Sequence, residues 1–256
     1  MGTRIRTALL VFVAVGALVL GQPAMAIQYG EPDNGAHPYV GGIVFEVDGL
    51  QFVGCSGTLI GPTRFLSAGH CAPDETYKLV GVTFDDAFVQ GESTISRATA
   101  FVVYSEYDGP VSTDVAVVLL RRDPGVGYAA LPEIGLLDTF TSAESGNQDR
   151  YLTAVGYGTT GLDRGSGEEP DFVYPDVRMR ADNTITGLSA TTVQTTAAPG
   201  TGGGTCYGDS GGPFFVAGTN IVVATTITGT NRNCGGTDIN LRIDTVQVQD
   251  FLAQYL

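Results

Sequence analysis

The sequence predicts an all-β protein made of barrels or sandwiches, and both its composition and its spacing support this. The 256 residues include 36 glycines and no tryptophan, and threonine and valine are frequent. Such a composition favours strands and turns over helices. Apolar and β-branched runs of strand length recur at short intervals, with turn residues between them. With 43% hydrophobic residues, the chain can bury one large core or two smaller ones.

The predicted strands follow one another along the chain, and each ends where glycine, proline or polar residues begin. In order they are Val40–Val47, Phe52–Ile60, Phe65–Ser67, Lys78–Thr83, Ala100–Tyr104, Val115–Leu120, Tyr151–Tyr157, Thr191–Thr195, Pro213–Val216, Ile221–Thr228 and Ile239–Ile243. The segment Val246–Leu256 differs, because its apolar residues Val248, Phe251, Leu252 and Tyr255 have helical spacing. A C-terminal helix is therefore expected.

Residues 1–26 have the three parts of a signal peptide. Arg4 and Arg6 precede the apolar run Ala8–Leu20, and the small residues Ala24 and Ala26 frame a cleavage site. The apolar run is short for a bilayer span, so a permanent membrane anchor is the weaker interpretation. We expect a secreted, extracellular protein that has no contact with the membrane after the signal peptide is removed.

Charge and cysteine content narrow the possible partners. The formal net charge of −14 makes nucleic acid an unsuitable partner. Four cysteines in an exported chain indicate disulfides, for which three pairings are possible. Their spacing is not that of a zinc site, so no metal is expected.

The segment Gly208–Pro213 carries a serine among glycines, which is typical of a nucleophile that a substrate must approach closely. Gly208, Ser210 and Gly212 also fit the G-x-S-x-G elbow of α/β-hydrolases. That fold needs its histidine after the serine, whereas the two histidines of this chain, His37 and His70, both precede it. The elbow is therefore excluded, and the order histidine, aspartate, serine remains.

A serine hydroxyl needs a base within hydrogen-bond reach to act as a nucleophile. His70 is the candidate, because His37 lies in an Ala-His-Pro turn that is typical of a structural histidine. Asp114 begins the apolar run Val115–Leu120, so its carboxylate needs a donor such as the imidazole of His70. The alternatives by residue type are Asp85, Asp86 and Asp108, none of which precedes such a run.

Four segments resemble, in sequence and in order, the chymotrypsin/trypsin-like serine protease family. They are Cys55–Ile60, Leu66–Cys71, Asp114–Leu120 and Gly208–Pro213. The resemblance spans nearly all of the chain after residue 26. It implies two six-stranded antiparallel β-barrels with the active site between them. The first barrel would span residues 27–135 and carry His70 and Asp114; the second would span 136–256, carry Ser210 and end in the helix.

The same resemblance assigns roles to individual residues. His70, Asp114 and Ser210 would form the catalytic triad, and the backbone N–H groups of Gly208 and Ser210 would form the oxyanion hole. Disulfides Cys55–Cys71 and Cys206–Cys234 are implied. No cofactor would be required, the partners would be protein or peptide substrates, and a monomer is the default expectation.

If signal peptidase cuts after Ala26, the mature chain begins at Ile27. In the family such an aliphatic N-terminus inserts beside the aspartate that precedes the serine, which is Asp209 here. An ion pair between the Ile27 ammonium and Asp209 would then order the oxyanion hole. The alternative is that Ile27 is only the first ordered residue of a strand.

The substrate-binding residues implied by the resemblance are Gly204, Thr205, Thr228, Gly229 and Asp238. Gly204 stands where an aspartate would select basic side chains, so that charge is missing. Asp238 aligns with a pocket wall and could pair with a basic side chain instead; the alternative places it on a surface turn.

The sequence thus predicts a secreted serine endopeptidase that forms an acyl-enzyme on Ser210. Two alternatives stay open: a protease-like binding or adhesion module without activity, and an esterase on the same fold.

Overall fold

A computed structural model of the chain describes residues 27, 29–107, 109, 111–140, 151–159, 162–163, 171–172, 176–197, 203–230 and 232–256. The signal peptide predicted over residues 1–26 lies outside these residues. The strands are β1 (Glu31–Pro32), β2 (Val40–Val47), β3 (Leu50–Gly61), β4 (Arg64–Ser67), β5 (Lys78–Thr83), β6 (Ile95–Val103), β7 (Ala116–Leu120), β8 (Tyr151–Gly156), β9 (Leu162–Asp163), β10 (Asp171–Phe172), β11 (Met179–Leu188), β12 (Thr192–Thr196), β13 (Pro213–Val216), β14 (Val222–Gly229) and β15 (Thr237–Arg242). One α-helix, α1, spans Val246–Leu252 in the described part of the chain.

The first barrel closes in the strand order β2-β3-β4-β7-β6-β5, and every neighbouring pair is antiparallel. Its core contains fully buried aliphatic and aromatic residues such as Ile43, Leu59 and Phe65. Gly41 and Gly57 face each other across β2 and β3. A Cβ added at either glycine would press on the ring of Phe65, so the two glycines leave the space that this ring fills.

The second barrel consists of β8, β11, β12, β15, β14 and β13, and it closes where β11 pairs with β8. Leu152, Val193 and Phe214 are fully buried in its core. The two barrels and the C-terminal helix confirm the predicted fold class. The predicted strands match observed ones closely, and β2, β5 and β13 have the predicted bounds.

The sequence prediction missed β11, which is the longest strand of the second barrel. Its segment alternates small or apolar residues with polar ones, and it includes Arg180, Asp182 and Asn183. The buried side is made by Met179, Ala181 and Asn183, so the strand lacks the apolar run by which the others were recognised.

The N-terminal strand β1 packs on the second barrel, and the C-terminal helix α1 packs on the first. β1 pairs with β11 of the second barrel, although it falls within the range 27–135 predicted for the first. Helix α1 begins at the N-cap Thr245, whose side chain accepts a hydrogen bond from the backbone of Val248. Its apolar side joins a cluster with residues of the first barrel, and the ring of Phe251 lies 5.3 Å from that of Tyr104. No helix in the described part of the chain is long and apolar enough to cross a membrane.

A buried guanidinium, Arg178, connects the N-terminal segment with both barrels. It donates hydrogen bonds to Asp33, Asp86, the hydroxyl of Tyr157 and the backbone oxygens of Val40 and Phe84. Asp33 also binds Nδ1 of His37 at 2.5 Å, and the imidazole stacks on Phe215 with 5.2 Å between ring centroids. His37 is therefore a structural histidine with its hydrogen bond satisfied, as its turn predicted.

Replacing Arg178 by methionine should lower the free energy of unfolding by about 3–5 kcal/mol, because the buried carboxylate of Asp33 would lose its guanidinium partner and keep only His37. Arg180→Met is the matched control two residues further along the chain: Arg180 is 39% exposed and, within the described residues, pairs with exposed Glu31, so its loss should cost less than about 1 kcal/mol. Urea unfolding of both variants measures the difference, and equal destabilisation would contradict the role assigned to Arg178.

Candidate active site

The end of β4 and the start of β7 bring His70 and Asp114 together. The two strands are neighbours, with Ser67 opposite Ala116, so the residues that leave β4 and enter β7 meet at one rim of the first barrel. His70 lies in the short 3-10 turn Gly69–Cys71. Its backbone N–H donates to Oδ1 of Asp114 at 2.8 Å, and its Nδ1 lies 2.6 Å from Oδ2.

This double contact fixes the imidazole. The side chain of Asp114 is 4% exposed and that of His70 is 33% exposed, so one end of the ring is held in the protein while the other faces the solvent. Because a carboxylate can only accept, Nδ1 carries the proton and Nε2 of the neutral ring is left as an acceptor.

Ser210 is supplied by the second barrel, in the loop that leads into β13. Ser210 and His70 line the same cavity. The hydroxyl of Ser210 forms no hydrogen bond with His70, although both residues belong to the described part of the chain. The groups needed for a nucleophile and its base are therefore adjacent but not yet joined by that hydrogen bond, which often tightens only when substrate binds.

Two backbone donors beside Ser210 are unused. The N–H groups of Gly208 and Ser210 donate to no other group in the described residues. Gly208 has φ +93°, a conformation that residues with side chains rarely adopt. Unused N–H groups next to a nucleophile can stabilise an oxyanion.

Ser56 on β3 holds this loop against the first barrel, and the sequence analysis gave it no role. Its backbone N–H donates to the carbonyl of Ser210 at 2.9 Å, and its hydroxyl donates to the carbonyl of Gly208 at 2.8 Å. The same hydroxyl accepts from the N–H of Tyr157 at 2.9 Å. Its strand also contains Gln51 and the equally buried Thr58, so no local sequence signal set Ser56 apart.

Asp209 is buried, and within the described residues its carboxylate accepts hydrogen bonds from backbone groups alone. Its carboxylate accepts hydrogen bonds from the N–H of Gly158 at 2.8 Å and from the N–H of Cys206 at 2.9 Å. Burial, together with the nearby carboxylate of Asp238, raises the pKa of Asp209 to about 7, although the two backbone hydrogen bonds act in the opposite direction. No cation pairs with Asp209 among the residues described.

The ion pair predicted between Ile27 and Asp209 is absent from the full chain. The nitrogen of Ile27 is in a peptide bond there, so it carries no charge. The Ile27 side chain is fully buried in the apolar cluster that contains Leu137 and Leu152. The pairing therefore stays a prediction for a chain that begins at Ile27.

The cavity beside Ser210 has a volume of about 460 Å³. Its wall contains Thr205, Thr228 and Gly229, and it also includes Thr226 and the exposed Arg232. Gly204 is not part of the wall, because it is buried against Ala197, and a Cβ at this position would collide with the Ala197 side chain.

Asp238 lies behind the wall of this cavity. It is 1% exposed, which rules out the surface turn considered above, and its carboxylate accepts a hydrogen bond from the N–H of Thr205 at 2.8 Å. Burial raises the pKa of Asp238 to about 7. Its carboxylate contacts the cavity wall through Thr205, so direct pairing with a basic side chain stays a prediction.

Two disulfides brace the site, and both are the pairs that the resemblance implies. Cys55–Cys71 joins β3 to the turn that carries His70, and Cys206–Cys234 joins the serine loop to the segment after β14. Cys55, Cys71 and His70 place three ligand-type atoms within 4.8 Å of one another. The two sulfurs are bonded to each other, so this cluster is not a metal site.

Comparison with known proteins agrees with this arrangement. The trypsin family model matches residues 27–252. A trypsin from Saccharopolyspora erythraea is 26% identical over 190 residues, which cover 70% of this chain and 77% of that protein. The CLIP domain-containing serine protease B15 of Anopheles gambiae is 26% identical over 215 residues, or 76% of this chain, and the match spans only 59% of the mosquito protein.

Solved structures show the same fold at low identity. HL collagenase superposes with a TM-score of 0.65 at 18% identity, covering 90% of this chain and 97% of the collagenase. A Glu endopeptidase superposes with a TM-score of 0.58 at 18% identity, covering 85% of this chain and 90% of that structure.

The elevated pKa of Asp209 predicts how stability depends on pH in a chain that keeps Ala26 before Ile27. Between the ordinary carboxyl pKa of 3.8 and about 7 the folded chain holds the Asp209 proton and the unfolded chain does not. The free energy of unfolding should therefore fall as pH rises through this window. Asp209→Asn should reduce that fall, leaving the contribution of Asp238.

Urea unfolding at pH 4 to 8 in a Ser210→Ala background measures the effect without self-digestion. Asp250→Asn, an exposed aspartate on α1, is the control and should leave the pH dependence unchanged. If Asp209→Asn and Asp250→Asn gave the same profile, Asp209 would not be the group responsible.

Proposed function

The chain belongs to the trypsin family of serine proteases, and on that basis we propose that it is a secreted serine endopeptidase. His70, Asp114 and Ser210 are the proposed triad. The observation that carries the proposal is the pair of hydrogen bonds from His70 to Asp114, which leaves Nε2 free beside a cavity that Ser210 also lines. The trypsin from Saccharopolyspora erythraea, a relative of similar length, supports the same activity.

In the proposed reaction the Ser210 hydroxyl attacks the carbonyl carbon of a peptide bond while Nε2 of His70 takes its proton. Asp114 keeps the imidazole in the required tautomer and stabilises the imidazolium that forms. The imidazolium then gives the proton to the leaving amine as the C–N bond breaks, which leaves an acyl-enzyme on Ser210. Water, deprotonated by His70, hydrolyses this ester and restores the serine.

The negative oxygen formed in each step would be held by the N–H groups of Gly208 and Ser210. Their freedom from other hydrogen bonds supports this role. Ser56 fixes the orientation of the loop by donating to the carbonyl of Gly208 and to that of Ser210. A donor that is already oriented costs no rearrangement when the charge develops.

Thr205, Thr228 and Gly229 are proposed to contact the substrate on the N-terminal side of the cut. All three line the cavity beside Ser210. Asp238 is proposed to act on that wall through Thr205, whose N–H it holds. The substrates would be proteins or peptides, bound by a monomer without a cofactor.

Secretion is proposed from the signal-like segment 1–26, and the two disulfides are consistent with it. Removal of that segment after Ala26 would create the Ile27 ammonium. The carboxylate of Asp209 is buried and has no cation beside it in the described part of the chain, so it is the group whose charge that ammonium would balance.

Ser210→Ala should abolish peptide cleavage, with a loss in kcat of at least about 10⁴-fold. A peptide mixture digested by the secreted protein and by the variant, and read by mass spectrometry, gives the sites of cleavage as well. Ser189→Ala, an exposed serine in the turn before β12, is the control and should retain the activity. Cleavage that persisted in Ser210→Ala would reject the triad. Absence of cleavage in the unmodified protein would favour the binding module, and cleavage of esters alone would favour the esterase.

The secreted active protein should begin at Ile27, and acetylation of that amine should reduce activity by at least about tenfold because Asp209 would lose its partner. N-terminal sequencing and residual peptidase activity measure the two parts. The reagent would also acetylate Lys78, the single lysine. A Lys78→Arg variant controls for this, and it should lose activity on acetylation to the same extent. Full activity after acetylation of Ile27 would reject the ion pair.

A further inference from the structure

A second cavity of about 570 Å³ also has His70 in its wall. Among the described residues, His70 is the one that lines both this cavity and the cavity beside Ser210. The remaining wall comes mainly from the first barrel, through β2, β3 and the segment that follows the 3-10 turn. Its lining includes Phe45, Phe52, Tyr77, Asp74 and Asp176.

Three aromatic rings form one wall of this second cavity. The centroid of Tyr77 is 5.7 Å from that of Phe52 and 6.5 Å from that of Phe45. Gly54 leaves space for this packing, since a Cβ there would lie 2.8 Å from the Phe45 ring. Tyr77 is 42% exposed, so the wall presents aromatic surface to whatever enters.

The charged groups in the wall are carboxylates. Asp74 uses Oδ1 to accept hydrogen bonds from the N–H groups of Thr76 and Tyr77, which fixes that carboxylate beside the Tyr77 ring. The carboxylate of Asp176 is half-buried and accepts no hydrogen bond from the described part of the chain. Among the described residues that line the second cavity, none is a lysine or an arginine. Aromatic faces beside unpaired carboxylates attract a cation on an apolar stem.

The position of the second cavity indicates which part of a substrate would reach it. A peptide whose N-terminal side lies along Thr228 and Gly229 must pass Ser210 at the cut. Continuing past His70, it reaches the second cavity with the residues that follow the cut. The net charge of −14 also draws cationic peptides toward the protein at long range.

We propose that the second cavity binds an arginine or lysine side chain from one of the first three residues after the scissile bond. The aliphatic stem packs on Tyr77 and Phe52, and the cation pairs with Asp176 and Asp74. This inference rests on the proposed peptidase activity. It assigns a substrate preference to the leaving side of the peptide, independently of the residue that precedes the cut.

The test uses fluorescence-quenched peptides that are identical up to the cut and carry arginine, citrulline or glutamate at the first, second or third residue after it. Citrulline keeps the shape of arginine without its charge. At one of these positions kcat/KM should be about tenfold higher for arginine than for citrulline, and lower still for glutamate. Asp176→Asn should reduce the arginine-to-citrulline ratio to within about twofold, while Asp250→Asn should keep it.

A p-nitroanilide substrate, which has no amino acid after the cut, separates the two proposals. Its hydrolysis should be the same in Asp176→Asn, Asp250→Asn and the unmodified enzyme. No hydrolysis of any substrate by the unmodified enzyme would reject the peptidase itself. Normal p-nitroanilide hydrolysis with an arginine-to-citrulline ratio below two at all three positions would overturn the cavity assignment alone, whatever the variants do. A ratio that Asp176→Asn left unchanged would also overturn it.

Discussion

The buried carboxylate of Asp209 is the constraint on which the geometry around Ser210 depends. A carboxyl group removed from water needs hydrogen-bond partners, and it needs a cation to be ionised at little cost; here the N–H groups of Gly158 and Cys206 supply the hydrogen bonds. They tie the serine loop to the chain that leaves β8. A Cβ at Gly158 would collide with the Asp209 carboxylate. The path of the loop therefore follows from where the backbone can donate hydrogen bonds to one buried carboxyl group.

Hydrogen bonds of buried polar groups also hold the two barrels together. His70 and Asp114 belong to the first barrel and Ser210 to the second, so their mutual distances depend on the interface. Ser56 bonds across that interface to two carbonyls of the serine loop. Arg178 also joins the barrels, because it donates hydrogen bonds to Asp33 of the N-terminal segment, to the carbonyl of Phe84 and to the hydroxyl of Tyr157. Buried polar groups have few alternative partners, which makes the relative placement of the barrels specific.

The apolar runs predicted an all-β fold and most of the strands, because such runs report burial directly, and the family resemblance implied the two barrels. It failed at β11, where the buried face is made of small and polar residues. Chain order and neighbouring residues identified His70, Asp114 and Ser210 as candidates, since Ser210 lies among glycines and Asp114 begins an apolar run. The role of Ser56 could not be predicted from its neighbours in sequence, because its hydroxyl donates to the carbonyl of Gly208, which is 152 residues away. For Asp238 the sequence left a pocket wall and a surface turn open, because its burial behind Thr205 depends on packing.

The residues that hold the proposed triad and its loop in place differ in burial from those that face the two cavities. Asp114, Asp209 and Ser56 are buried, and each has partners that a substitution would leave unsatisfied, at a cost of about 1–3 kcal/mol or more. Tyr77 and Arg232 are exposed, and changes at such positions usually alter stability by less than about 0.5 kcal/mol. Residues in the cavity walls can therefore be substituted with little effect on folding, whereas Asp114, Asp209 and Ser56 cannot. A fold of this kind can change its substrate preference on either side of the cut while keeping one reaction.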